Sequence, residues 1–467
     1  MASRDLQLIL VSLYSYFLES ILLPAQSLAR GRSYHRIRRF LETSQWWSAE
    51  QLRDFQWQEL TRLLTIAFCS VPFYQRKYAA AGARLEDIRT WDDFQRLPPL
   101  TREEVNQHRE ELFPRDLTVR RLPHATGGSS GVPVRFYRTW QSYDWRLAAT
   151  HRAYSWSGCR QGERTLYLWA APLASQSFAS RLRERANAFL HRRLIVPTWL
   201  QNEALWEHTY HKALRFRPRF LVGYVSSLVN FARYLESRQL HLPTLRAVLT
   251  AAEPLPASVR GFLSQVFRVP VFETYGSREF MSIGAECDRH QGLHLNVENL
   301  VVEIASADPD GYGDILVTDL HNLGTVFIRY AIGDLGRLAS RSCPCRRGLP
   351  MLQTVAGRRA DEIRLPGGRS VSGLFFVHVL KEIPEILQYQ VRQESPDRVV
   401  LLLVLARELS ASSQSRLRAE LGTVLNDTEF EIRVVPSIPL GPSGKLHSVV
   451  AFRGPQPDPE PGGIPLE

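Results

Sequence analysis

His124-Ala-Thr-Gly-Gly-Ser-Ser-Gly-Val-Pro133 packs three glycines and three hydroxyls into one short run, and Pro133 ends it. A core helix or strand does not tolerate that density of glycine. Glycines let main-chain N–H groups approach a ligand closely, and hydroxyls add donors without bulk. The run therefore suits an anion such as a triphosphate. Composition alone reads equally as a Gly/Ser surface turn. The run lacks the GxxxxGK[ST] spacing, so it is not an ordinary P-loop. The surrounding chain has to decide.

On the N-terminal side, residues 30–125 read as mostly helical. Ser48-Ala-Glu-Gln51 is a capping-box start, followed by apolar periodicity through Leu60, Leu63, Leu64 and Ala67. Val71-Pro72-Phe73-Tyr74 ends that helix, and Trp91-Asp-Asp-Phe94 and Thr101-Arg-Glu-Glu104 look like further helix starts. On the C-terminal side, strand-like and helical segments alternate to about residue 340. Arg164–Ala170, Phe220–Gly223 and Ala247–Thr250 read as strands, and Ser227–Leu235 as one of the helices. That alternation predicts an α/β domain with a largely parallel sheet, whose ligands bind at the carboxyl ends of its strands. From Leu300 the pattern turns β-rich. Val301–Ile304, Asp314–Thr318 and Val326–Tyr330 read as short strands, with turns at Asp310-Gly311 and Asn322-Leu-Gly324. The expected organisation is an N-terminal helical segment over 1–44, a large domain over 45–356, a small α+β domain over 357–453 and a disordered tail over 454–467.

The 467 residues are 44% hydrophobic and 22% charged, a globular balance. The formal charge of +11 is spread along the whole chain, and no zinc-finger, helix-turn-helix or RNA-binding signature accompanies it, so nucleic acid is not an expected partner. Lysine occurs only at Lys77, Lys212, Lys381 and Lys445; every other strong base is arginine. Where arginine is the default cation, a lysine in a special loop gains weight, because a compact ammonium does what a guanidinium cannot. Five cysteines in a chain this long do not make a disulfide framework, and a reducing, cytoplasmic setting fits them.

Several separated motifs follow the glycine-rich run in order. They are Ala252-Glu253-Pro254-Leu255, Glu273-Thr274-Tyr275-Gly276-Ser277-Arg278-Glu279, Arg329-Tyr-Ala-Ile-Gly333-Asp334, Gly357-Arg358 and Pro442-Ser443-Gly444-Lys445. This ordered set resembles the AMP-forming adenylate enzymes. It is most similar to the phenylacetate–coenzyme A ligase-like branch, which includes proteins found with capsular polysaccharide genes. The resemblance spans roughly residues 45–450 and implies a two-step reaction. A carboxylate attacks the α-phosphate of ATP, pyrophosphate leaves, and a second nucleophile, often the thiol of coenzyme A, takes the acyl group from the adenylate. Amide or ester formation on a sugar or amine, and retention of AMP on the product, are alternatives within the same fold.

The resemblance also implies roles. Thr126, Gly127, Gly128, Ser129, Ser130 and Gly131 would hold the β- and γ-phosphates. Many relatives place a lysine after the final glycine; here it is Val132, so backbone donors and Mg²⁺ must carry more of the leaving group's charge. Glu279 would help position Mg²⁺. Tyr275 would stack on adenine, with Ala252, Glu253, Pro254, Thr274 and Gly276 lining the same site. Asp334 would accept hydrogen bonds from the ribose hydroxyls, and Arg358 would reach ribose or phosphate. Lys445 would bridge the attacking carboxylate and the α-phosphate in the transition state. Relatives rotate the small domain about a pivot after the Gly-Arg motif; the acidic pair common there is Ala360 and Asp361 here. Phe220–Ser227 and His151–Trp156, with Tyr154, Trp156 and Tyr224, are candidate linings for the acid pocket.

Two further features stand apart. Cys287, Cys343 and Cys345 with either His290 or His294 form a set that zinc accepts in closed tetrahedral sites; the Cys…Gly-Leu-His…Cys-x-Cys arrangement of the resembled branch favours His294. The apolar run Leu8–Leu23 is short for a membrane span and is broken by Glu19. Leu10, Leu13, Tyr14, Phe17 and Ile21 share one helical face. That face is expected to dock on the body; the alternative is a helix lying on a membrane surface beside Arg30, Arg32, Arg36, Arg38 and Arg39.

Overall fold

A computed structural model describes residues 13–452, apart from 117, 119, 127–132, 170–177, 200, 359–361, 367–369, 382, 426–427 and 442–444. Gly127–Gly131 of the glycine-rich run, Ser443-Gly444, the acidic-pair positions and the expected tail thus lie outside the described residues. The chain forms two compact units. One is Met1–Gly357 with Leu440–Lys445; the other is Arg358–Pro439 with Leu446–Glu467.

Local signals start the helices of the large unit. Ser48, Thr90 and Thr101 each close a capping box, for helices Ala49–Ser70, Trp91–Gln95 and Arg102–Gln107. Pro72 opens the next helix, Pro72–Ala80, where its missing N–H costs nothing. Ala49–Ser70 turns Leu52, Leu60, Leu63, Leu64 and Ala67 inward into the core cluster that also holds Phe327, Ile328 and Tyr330.

The strands of this unit are β1 (Leu122–Ala125), β2 (Arg135–Arg138), β3 (Thr165–Trp169), β4 (Arg193–Pro197), β5 (Phe220–Tyr224), β6 (Ala247–Ala251), β7 (Val271–Ser277), β8 (Met281–Glu286), β9 (Leu293–Leu295), β10 (Leu300–Ala305), β11 (Gly313–Asp319), β12 (Tyr330–Leu338) and β13 (Met351–Arg358). Among the described residues, β3 to β13 form one 11-stranded sheet in the order β10-β11-β12-β13-β9-β8-β7-β6-β5-β3-β4. The half running β4-β3-β5-β6-β7 is parallel. Its strands β5 and β6 are buried along their whole length and read as continuous apolar runs, as parallel strands covered on both faces do. Pairing turns antiparallel at β7–β8 and stays so through β8–β9 and β9–β13.

Two expectations are corrected. Val326–Arg329 is not a strand; β12 begins at Tyr330. Its backbone groups go elsewhere: Val326 N–H donates to the Leu112 carbonyl and Ile328 N–H to Tyr74 Oη, while Arg329 takes the left-handed conformation at φ 49°. Phe327 and Ile328 still fill the core, so apolar content was mistaken for pairing. The second correction is the N-terminal helix. Leu13–Phe17 continues through a π turn, Leu18–Leu22, into Leu23–Ala29. Pro24 lacks an N–H for the preceding turn, which widens in response. The helix does dock, but on Ser15 and Leu18, both fully buried, with Ser15 Oγ donating to Glu163 and Gln161 N–H donating to Glu19. Leu13, Tyr16, Phe17 and Ile21 face solvent.

The small unit has a hairpin of β14 (Glu362–Arg364) and β15 (Ser370–Ser372). Beside it is a four-stranded sheet of β16 (Ile386–Ser395), β17 (Arg398–Leu405), β18 (Glu429–Val434) and β19 (Val449–Val450), in the order β18-β17-β16-β19. Helices Gly373–Lys381 and Ala411–Leu425 cover one face through Phe376, Leu380, Leu417 and Leu421. Among the described residues no helix is long and apolar enough to cross a membrane.

Candidate active site

The nucleotide-site candidates gather at the carboxyl end of the parallel half of the sheet. β6 runs into Ala252, which adopts φ 68°. For a residue with a Cβ that conformation costs about 1–3 kcal/mol and is retained where function demands it. Glu253 follows. Its carboxylate accepts Ser226 N–H at 2.6 Å and Ser226 Oγ–H at 2.9 Å, at the positive start of helix Val225–Ser237. The carboxylate is thus committed to the helix terminus. On the adjoining strand β7, Thr274 Oγ1 donates to the Thr250 carbonyl at 2.7 Å and ties the motif to β6.

Tyr275 and Asp334 are far apart in sequence but meet: Tyr275 Oη donates to Asp334 Oδ2 at 2.8 Å. Gly333, φ 86°, precedes the aspartate in a conformation that glycine reaches without strain. Glu279 is only 4% exposed, and its Oε1 lies 3.5 Å from Tyr330 Oη, at the start of the strand that carries Asp334. Tyr275 and Asp334 therefore meet, and Glu279 lies against the first residue of the same strand β12; a tyrosine, a buried carboxylate and a hydrogen-bonded aspartate suit an aromatic base, a hard cation and a diol.

The described ends of the glycine-rich run are held by a feature absent from the sequence reading, the antiparallel hairpin β1–β2. Thr126 N–H donates to the Val134 carbonyl, and Thr126 Oγ1 accepts Val134 N–H at 2.9 Å, closing the loop's neck. Beside the hairpin lies a cavity of 530 Å³ whose lining includes Arg109, His124, Arg135 and Arg278. Burial, with Arg138 and Arg278 nearby, pushes His124 down to about 4, so it is neutral at pH 7 and the cavity's charge is guanidinium.

Lys445 belongs to the large unit's compact body, with its Nζ 5.7 Å from the centre of the Tyr224 ring. Tyr224 ends β5, and burial pushes its phenol up to about 12. Tyr154 and Trp156, candidates for the acid pocket, are instead core: Tyr154 packs on Phe220 and Val222, and Trp156 Nε1 donates to Gln45. His151 is half-buried, with its Nδ1 bonded to Tyr34 Oη at 2.8 Å. Arg358 ends β13 directly after Gly357, φ 112°, at the boundary between the units.

The metal-ligand candidates converge. One donor atom each from Cys287, His294, Cys343 and Cys345 lies within 4.8 Å of every other. Cys287 Sγ is 3.7 Å from Cys343 Sγ, and Cys345 Sγ is 3.3 Å from His294 Nε2. His294 Nδ1 faces the Leu349 carbonyl at 3.3 Å, an arrangement that leaves Nε2 as the ligand atom. Burial pushes His294 down to about 4, so its ring is neutral. Arg289 N–H and Arg347 N–H approach the sulfurs of Cys287 and Cys345 at 3.5 Å. Three thiols and one neutral imidazole at this spacing fit a tetrahedral zinc site. His290 is not in this cluster; its Nδ1 pairs with Glu286 at 3.1 Å. Sequence reading also passed over Arg260, whose guanidinium grips both oxygens of Glu286 at 2.8 Å beside half-buried Glu273.

Residues 364–451 match the family model described as the CapK C-terminal domain. The chain is similar to the phenylacetate–coenzyme A ligase of Pseudomonas putida, at 23% identity over 420 residues, 85% of this chain and 92% of the relative. It is also similar to the phenylacetate–coenzyme A ligase of Escherichia coli strain K12, at 24% identity, over 68% of this chain and 74% of the relative. Among solved structures, 2-hydroxyisobutyryl-CoA ligase in the postadenylation state, in complex with R3-HIB-AMP, aligns with a TM-score of 0.66 at 18% identity, covering 87% of this chain and 90% of that one. The chain is a homologue of the phenylacetate–coenzyme A ligases that carries a CapK C-terminal domain and has the fold of the adenylate-forming ligases.

Proposed function

We propose that the chain is an AMP-forming acid–thiol ligase that joins a carboxylic acid to coenzyme A. A carboxylate oxygen bonds to the α-phosphorus of ATP as the bond to the bridging oxygen breaks, and pyrophosphate leaves with its electron pair. The thiolate of coenzyme A then attacks the acyl carbonyl, and AMP departs. The contact of Tyr275 with Asp334, with Glu279 set against Tyr330 on the strand that carries Asp334, supports this reading. Tyr275 covers adenine, Asp334 accepts from the ribose, and Thr126 with the glycine-rich loop cradles the phosphates. Lys445 supplies an ammonium where charge redistributes. Arg135 and Arg278 supply positive charge that Val132 cannot. Bound Mg²⁺ would neutralise the departing phosphates, with Glu279 as its protein ligand. Cys287, His294, Cys343 and Cys345 would hold a structural zinc, which would tie the segment after β8 to that before β13.

The reading includes a turn of the small unit about the Gly357–Arg358 backbone between the two steps, and a reducing, cytoplasmic setting suits the free thiols. Scattering that failed to respond to an acyl-adenylate analogue would count against the turn. Phenylacetate, named for the relatives, is the first acid to supply. The test is AMP release and product mass with a panel of acids, with and without coenzyme A. An acyl-CoA formed in equal amount to AMP is expected; AMP release that ignores coenzyme A refutes the thioester step. The CapK C-terminal domain favours a second reading, in which a sugar hydroxyl or amine replaces the thiol in capsule-type polysaccharide synthesis.

A further inference from the structure

The N-terminal helix docks through Ser15 and Leu18 and turns other apolar side chains outward. Its polar Ser15 is fully buried, while Leu13 is 89% and Ile21 56% exposed, with Tyr16 and Phe17 exposed between them. Residues spaced three and four apart line one helical stripe, so these side chains form a continuous apolar ridge. The ridge does not stop at the helix. Tyr14 Oη donates to the Leu190 carbonyl at 2.7 Å, and the Arg192 guanidinium sits 3.7 Å over the Tyr14 ring. Those contacts join it to helix Phe178–Leu190, where Phe189 is 86% exposed and Leu182 is exposed as well. They also join it to β4, the edge strand of the sheet, where Ile195 is exposed.

Such an area of outward apolar side chains on three neighbouring elements marks an interaction surface. Its charge selects the partner. Exposed Arg30, Arg36 and Arg39 follow the helix in sequence, and exposed Arg183 and Arg185 stand on helix Phe178–Leu190 with Glu184 between them. Arg32 and Arg38, also expected at a membrane, are instead paired with Asp144 and Glu42. Glu19, the acid within the apolar run, is turned inward and paired with Arg160 at 3.0 Å. Two copies of this face would bring like charges together; an anionic lipid surface complements both the arginines and the ridge. We propose that the face formed by Leu13–Ala29, Phe178–Leu190 and β4 seats the protein on an anionic bilayer surface, with Phe17 and Phe189 inserted among the headgroups.

The test is co-sedimentation of the full chain with vesicles of phosphatidylcholine alone or mixed with phosphatidylglycerol. The protein is expected to pellet with the anionic vesicles only, and added salt should release it. Phe17→Ser with Phe189→Ser, both at exposed positions, should weaken the partition by at least about tenfold with an unchanged melting curve and unchanged adenylation in solution. Wild-type protein that stays in the supernatant with both vesicles overturns the proposal, as does a variant that pellets like wild type. A dimer seen by sedimentation velocity and abolished by the same substitutions would assign the face to a second copy and also overturn it.

Discussion

Gly276→Ala should damage the site more than any other single methyl in the motif. Gly276 pairs with Ser282 across the β7–β8 hairpin, beside a register shift at Tyr275/Gly276. A Cβ there would stand 1.9 Å from the Met281 carbonyl oxygen and 2.9 Å from its carbon. An ordinary carbon–oxygen contact is about 3.3 Å, so one partner must move by more than an ångström. The obstacle is backbone, and Met281 already sits at φ 60°. No side chain can swing away, so the hairpin itself must open. Overpacking of this kind costs about 3 kcal/mol or more, and it displaces the two residues the hairpin carries into the site, Tyr275 and Glu279. Denaturant unfolding with nucleotide titration reads both effects. Gly422→Ala is the control: it lies in helix Ala411–Leu425 with nothing within 4 Å of the new methyl, and it should stabilise by about 0.5–1 kcal/mol. If Gly276→Ala lies within about 0.5 kcal/mol of wild type and binds ATP normally, the reasoning about this hairpin is wrong.

Burial and the neighbouring Glu286 push the Glu273 carboxyl from 4.5 up to about 7. The folded state therefore holds a proton that the unfolded chain releases, and this group's contribution to stability falls as pH rises between those two values. Glu273→Gln removes that loss, so its melting-temperature advantage should widen between about pH 5 and about pH 8; a constant difference contradicts the account. The purified protein should carry about one zinc per chain, and Cys343→Ser should lose it and melt earlier. Undiminished zinc in that variant would remove Cys343 from the ligand set.

The parallel half of the sheet was legible because β5 and β6 are buried on both faces and so announce themselves as apolar runs. The helix starts at Ser48, Trp91 and Thr101 were legible because capping is decided within four residues. The zinc candidates emerged from ligand chemistry; the resemblance already favoured His294 over His290, and the fold gathers His294 with the three thiols. Short-range pattern failed where tertiary partners decide. Val326–Arg329 looks like a strand but bonds to Leu112, Tyr74 and Thr318. Tyr154 and Trp156 look like pocket aromatics but pack the core. The fully buried Arg152, gripping Glu298 at 2.5 and 2.9 Å and Asn296 at 2.9 Å, gave no sequence signal, because an arginine in a chain rich in them looks like surface. The N-terminal helix misled for a related reason: amphipathic spacing says that a face exists, not which side of it meets the body.

The most direct measurement is acid-dependent exchange of labelled pyrophosphate into ATP, made on wild type and on Lys445→Ala with matched melting curves. Wild type should exchange, and the variant should lose roughly 10²–10³-fold or more, as expected when a preorganised transition-state charge is deleted. Exchange at the wild-type rate without the Lys445 ammonium would contradict the adenylation chemistry assigned to this fold.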